Sequence, residues 1–254
     1  MKRPLIAGNW KMNTTREQAV TLAGGIRDHT RNTEHADVLV CPPFPYLDAV
    51  GSTLKDSQVQ LGAQDLYHQP EGAYTGEVSS QMITDLGCRF VLIGHSERRH
   101  IFGESNSLIN QKVHAALDAS LLAVLCVGET LEQRNNGQTE TILEQQLLAG
   151  LTGVSEKQLL SVTVAYEPVW AIGTGKTATP DQAEEAHAHL RKLMTERYNT
   201  DSSELVRVLY GGSVKPENAS VLMSQTNVDG ALVGGASLYV DSFIGIIDAL
   251  IQDS

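Results

Sequence analysis

The sequence predicts a single (β/α)8 barrel. Three observations carry that prediction: eight short apolar runs, helix-length amphipathic segments between them, and no linker or compositional break across 254 residues. The runs are LIAG (5–8), DVLVC (37–41), VQLGA (59–63), FVLIG (90–94), LLAVLCV (121–127), VTVAYE (162–167), LVRVLYG (205–211) and VDGALVGG (228–235). Nearly continuous in Val, Leu and Ile, they have the pattern of parallel strands covered on both faces. An open, doubly wound sheet is the structural alternative. One domain over residues 1–254 is expected either way.

Taken in order, the runs end on different residues. The first ends in Gly8-Asn9-Trp10-Lys11 and the second in Cys41-Pro42-Pro43. The third gives Gln64-Asp65 and opens a connection, Gln64 to Ser79, that exceeds the usual length between strand and helix. The fourth passes into His95-Ser96-Glu97, the fifth into Gly128-Glu129, and the sixth carries Glu167 ahead of Pro168. Glycine pairs close the last two, Gly211-Gly212-Ser213 and Gly234-Gly235-Ala236. Polar residues and glycines therefore collect at the C-terminal strand ends, the face on which barrel enzymes build their sites.

The helical segments are equally readable. Thr179, Pro180 and Gln182 form a capping box with proline at the first helical position, and Ala183, Ala186, Leu190, Leu193 and Met194 then share a face. The last segment repeats this design with Val240, Phe243, Ile244, Ile247 and Leu250.

Charge restricts the partners. A formal net charge of -11 argues against nucleic acid, which needs a basic face, so an anionic substrate must be held by a local site. Cys41, Cys88 and Cys126 lack the spacing of a zinc site or a disulfide framework. Too few apolar residues precede Asn9 for a signal-peptide core, and no run approaches the roughly 20 of a membrane span. A cytoplasmic protein is expected, with no metal and no cofactor.

Asn9, Lys11, His95, Glu97 and Glu167 would converge on one mouth of the barrel. Lys11 and Glu97 read equally well as a structural ion pair, and a lone histidine is more often packing than catalyst. His95 differs from the other histidines in following VLIG directly and opening SERRHIF. A helix N-terminus aimed at its ring would disfavour imidazolium, and a neutral histidine beside a carboxylate is a proton-transfer pair. Burial would raise the basicity of Glu167. The glycine pairs suit tight turns, yet they also fall where barrels bind phosphate through backbone N–H groups.

GTGKTA (173–178) is a decoy. A P-loop needs glycine at 170, where Trp170 stands, and six residues from Glu167 to Ile172 separate the G-x-G-x-x-A from its strand.

AGNWKMN (7–13), GAYTGEVS (72–79), IGHSERR (93–99), CVGETLEQR (126–134), AYEPVWAIGTGKTA (165–178), YGGSV (210–214) and LVGGASL (232–238) together resemble the triosephosphate isomerase family, in order and from residue 7 to the last helix. The resemblance implies a TIM barrel that interconverts dihydroxyacetone phosphate and D-glyceraldehyde 3-phosphate through an enediolate. Glu167 matches the base and His95 the neutral electrophile. Lys11 and Asn9 match residues near the substrate oxygens, and Glu97 the partner that orients Lys11. Gly173, Ser213, Gly234 and Gly235 match the phosphate grip, which Asn9 and Lys11 complete.

Residues Pro168, Val169, Trp170, Ala171, Ile172, Gly173, Thr174, Gly175, Lys176, Thr177 and Ala178 match the lid. They read as a stiff hinge at 168–170, a small tip at 171–175 and a second hinge at 176–178. The connection from Gln64 to Ser79 matches the finger that enters a second subunit, with Thr75 and Gly76 at the interface, so a homodimer is implied. Two rivals stay open at this point. A barrel aldolase would use Lys11 as a Schiff base, and a non-catalytic phospho-ligand binder would keep the scaffold without the chemistry.

Overall fold

The computed structural model describes residues 2–173 and 177–250. The strands are β1 (Leu5–Asn9), β2 (Asp37–Cys41), β3 (Gln60–Ala63), β4 (Phe90–Ile93), β5 (Leu122–Val127), β6 (Val162–Tyr166), β7 (Val208–Tyr210) and β8 (Gly230–Val233). They close in chain order, and β1 pairs in parallel with both β2 and β8, Leu5 lying opposite Asp37 on one side and Gly230 on the other. A doubly wound sheet has no such closing pair. The expected domain span of 1–254 runs past the described residues at both ends.

The side-chain period of two divides the core. Leu5, Ala7, Leu39, Cys41, Phe90, Leu92, Val124, Cys126, Ala165, Leu209 and Leu232 fill the lumen. Their neighbours, such as Ile6, Val38, Val40, Val91, Ile93 and Val164, face outward under the helices. Both faces are dry, which is why the strands lack polar alternation.

Helix Pro180–Arg197 starts at the predicted capping box, and Ala183, Ala186, Leu190, Leu193 and Met194 are all buried, joined by His187 and Arg191. In the last helix, Val240–Asp248, the buried set is Phe243, Ile246 and Ile247, with Ile246 in place of the expected Ile244. The spacing of i, i+3 and i+4 from Phe243 gives that face.

The strand β7 starts well inside its apolar run. Leu205 belongs to the preceding helix, Thr200–Leu205, and is 60% exposed, so β7 begins only at Val208. The intervening Arg207 pairs with Asp37 at the start of β2.

Charge ties together the N-terminal face of the barrel. Asp229, just before β8, accepts from Lys2 at 3.1 Å, from Arg191 at 2.6 Å and from the Val208 amide at 2.9 Å. Asp37 takes Arg3 as well as Arg207. The three cysteines are free and buried. Among the described residues no helix is long and apolar enough to cross a membrane.

Candidate active site

The C-terminal strand ends surround a cavity of about 490 Å³. Asn9, Lys11, His95, Glu167, Gly173, Ser213, Gly234 and Gly235 all line it, together with Asn13, Ile172, Gly211, Gly212 and Lys215. Glu97 stands behind Lys11 rather than on the cavity wall. Thr75 and Gly76 lie elsewhere, exposed in the long connection after β3. Of the proposed lid, Thr174, Gly175 and Lys176 lie outside the described residues.

The strand β4 brings His95 to the mouth through a sharp turn. Gly94 has φ +69°, and a Cβ there would lie 3.0 Å from both Arg99 and Ile109, so the turn needs glycine. Arg99 clamps this turn, donating to the Gly94 carbonyl at 2.7 Å and the Cys126 carbonyl at 2.9 Å. His95 then caps helix Ser96–His100, and the Glu97 amide donates to His95 Nδ1 at 3.2 Å. That amide keeps Nδ1 an acceptor and leaves the proton on Nε2.

Glu167, 2% exposed, takes that proton's hydrogen bond. His95 Nε2 is 2.8 Å from Glu167 Oε1, and the Ser96 amide donates to Oε2 at 2.7 Å. These contacts reverse two expectations, the raised basicity of Glu167 and the disfavoured imidazolium of His95. Burial alone would raise the Glu167 carboxyl, but the attraction and hydrogen bond of His95 and the Ser96 amide hold it below the usual carboxylate range. For His95, burial lowers the ring's basicity, while the charge and hydrogen bond of Glu167 more than restore it. In this conformation the carboxylate is docked and stabilised, not activated.

Two glycines that precede helix or loop residues leave the space Glu167 occupies. A Cβ on Gly211 would lie 2.8 Å from Glu167 Cγ, and one on Gly128 would lie 1.7 Å from the Glu167 carbonyl oxygen. Gly128 did not stand out in the sequence, because its neighbour is on the adjacent strand.

Lys11 is positioned from both ends. Its backbone has φ 52°, its amide donates to Asn9 Oδ1 at 3.0 Å, and Gln64 Nε2 donates to its carbonyl at 2.8 Å. Its ammonium sits 2.6 Å from Glu97 Oε1. The ion pair with Glu97 thus holds the ammonium of a residue that lines the cavity. On the opposite wall, Lys215 caps helix Pro216–Met223 and Gly235 opens a short 3-10 turn, Gly235–Leu238. Backbone at helix starts suits anions.

The two ends of the proposed lid are anchored by residues that sequence reasoning missed. Fully buried Glu129 accepts at Oε1 from Trp170 Nε1 at 2.9 Å, Tyr166 at 3.1 Å and Arg134 at 3.1 Å. Arg134 also stacks over the Trp170 ring at 4.9 Å. Ala171 is buried in the 3-10 turn Val169–Ala171, so the fixed segment extends one residue beyond the expected hinge. At the far end, the Ala178 amide donates to the Tyr210 hydroxyl at 3.3 Å.

The family model described as triosephosphate isomerase matches residues 4–250. A triosephosphate isomerase of Rhodopirellula baltica is 51% identical over 248 residues, covering 98% of each chain. Those of Carboxydothermus hydrogenoformans and Geotalea uraniireducens are 50% and 49% identical, each over 97% of this chain and 98% of their own. The motifs that ring the cavity all lie within the matched span. The chain belongs to the triosephosphate isomerase family.

Proposed function

We propose that the chain catalyses the interconversion of dihydroxyacetone phosphate and D-glyceraldehyde 3-phosphate. The observation that carries this reading is the meeting of Glu167, His95 and Lys11 on one cavity whose far wall is lined by Gly211, Gly212, Gly234 and Gly235. Phosphate would sit against Gly173, Ser213, Gly234 and Gly235. The triose would then lie with its carbonyl toward His95 and Lys11 and its reacting carbons toward Glu167.

For reaction, Glu167 must leave His95 and Ser96. Both ionisation preferences then change together. The carboxylate loses the contacts that depress it and meets a carbon acid in a drier site, where burial raises its basicity. The ring loses the charge that raised it, and burial together with the Glu97 amide favours neutral imidazole. Glu167 removes a proton from one carbon flanking the carbonyl and returns it to the other. His95 Nε2–H and the Lys11 ammonium stabilise the enediolate oxygens between the two steps.

The segment Pro168–Ala178 would cover the site. An enediolate bearing a neighbouring phosphate can eliminate it, so excluding water and holding the phosphate protect the intermediate. Thr75 and Gly76, exposed on the connection Gln64 to Ser79, would enter a second copy, giving a homodimer in the cytoplasm. No cofactor is required.

Dihydroxyacetone phosphate in D2O, followed by NMR, tests the reading. Deuterium uptake with appearance of the aldehyde, both lost in Glu167→Gln, is the expected result. A folded wild-type protein that exchanges no proton would overturn it.

A further inference from the structure

Beneath the foot of the long connection after β3 lies a buried charge cluster that does not touch the cavity. Asp65 accepts from Lys112 Nζ at 2.8 Å with each of its oxygens, and its Oδ2 is 2.8 Å from Arg98 Nε. Glu104 accepts from the same Lys112 and, at 2.6 Å, from the same Arg98 Nε. Asp65, Glu104 and Lys112 are 5%, 8% and 1% exposed. Three segments meet here: the loop foot, the helix Ser96–His100 with the turn after it, and the helix Asn106–Asp118. Glu77, on the returning limb of the loop, adds its charge beside Arg98.

The cluster is a poor stabilising device. Buried ion pairs seldom repay their desolvation, and Glu104 Oε2 is buried with no hydrogen-bond partner among the described residues. Burial, opposed by Lys112 and reinforced by Glu104, pushes the Asp65 carboxyl up to about 6. Its folded value therefore lies above its unfolded one. The native state holds that proton more tightly between about 4 and 6, so the ionised form costs stability at neutral pH.

What the charge does achieve is geometric. Arg98 belongs to the five-residue helix whose Ser96 amide holds Glu167 and whose Glu97 holds Lys11. We propose that Asp65 is a positioning residue for the isomerase site: by clamping Arg98 it fixes the Ser96–His100 helix and couples the projecting loop to His95, Ser96 and Glu97. The inference rests on the isomerase activity proposed for the cavity. Protonating Asp65 loosens the clamp while leaving the fold intact, so turnover falls on acidification where stability from this group does not.

The test uses the full chain as wild type, Asp65→Asn and Arg98→Lys, with kcat and KM from about pH 5 to 9, thermal melts and light scattering. Wild-type turnover in the same assay decides the isomerase reading by itself, and its absence removes both inferences. Given that turnover, Asp65→Asn is expected to lower kcat about tenfold at neutral pH with KM within about twofold. Its melting point should be equal or higher, and its kcat should show less of the acid fall seen in wild type. Arg98→Lys should show the same loss of kcat.

Asp65→Asn with wild-type kcat and an unchanged acid limb would sink the proposal. So would a loss of kcat that only follows a loss of melting temperature or of dimer, which marks a purely structural role. Should Asp65→Asn fail to fold, Arg98→Lys decides: wild-type kcat in that variant overturns the coupling.

Discussion

The barrel carries charge at both ends and uses it in opposite ways. At the N-terminal face, Asp229 and Asp37 are saturated by Lys2, Arg191, Arg3 and Arg207, which lock strand starts and termini together. At the mouth, Glu167 is held among the described residues by a ring N–H and one amide, and it borders an open cavity. Saturated charge fixes a fold, whereas the proposed chemistry requires a charge that can change partners. The sequence distinguishes the two only by strand end, since an aspartate or glutamate reads alike at either.

That contrast can be broken most sharply at Glu167. Glu167→Gln should lower kcat by roughly 10² to 10⁴ with little change in KM or melting temperature, as steady-state kinetics and calorimetry would show. Arg191→Met should do the reverse. Leaving Asp229 without its buried partner should cost about 3 to 5 kcal/mol in denaturant unfolding, with kcat per folded molecule unchanged. A matched loss of both quantities in either variant would erase the distinction.

Two smaller effects sharpen it. His187, between the helix Pro180–Arg197 and the barrel, is fully buried, and burial pushes its ring down to about 4. Because the unfolded ring titrates near 6.5, the unfolded state binds more protons across the window from 6.5 to 4. Stability is therefore lost as pH falls through it, by up to about 3 kcal/mol. Asp65 bends the curve the other way, so melts against pH of Asp65→Asn with and without His187→Gln isolate the slope. Last, Tyr210→Phe removes the acceptor of the Ala178 amide. A cost of about 1 kcal/mol to the far anchor of the proposed lid should appear as a few-fold lower kcat/KM and little change in melting temperature.

Much of this architecture was legible in the chain. Buried parallel strands announce themselves as unbroken apolar runs, and the capping box at Thr179 marked a helix start to the residue. The candidate residues Asn9, His95 and Glu167 could be picked out because each stands at or just after the end of such a run. The connections across strands were not. Gly128 matters for the carbonyl of Glu167, Glu129 for Trp170, and Tyr210 for Ala178, pairs set by barrel closure rather than by spacing. The docked Glu167 was illegible for another reason: a residue type carries no record of which of two partners its side chain prefers at rest. Leu205 misled because an apolar residue at a helix end looks like the first residue of a strand.

Lys11 pairs the ammonium proposed to face the substrate with an awkward backbone. Its φ of 52° is the left-handed region, in which a non-glycine residue carries a cost of about 1 to 3 kcal/mol. Glycine at position 11 would relieve that strain and remove the ammonium in one step. Selection for thermal resistance alone would drift toward that exchange, and selection for turnover would purge it. On the proposed role of Lys11, a directed-evolution campaign on this barrel needs an activity gate from its first round, since at this position the steadier molecule would be the idle one.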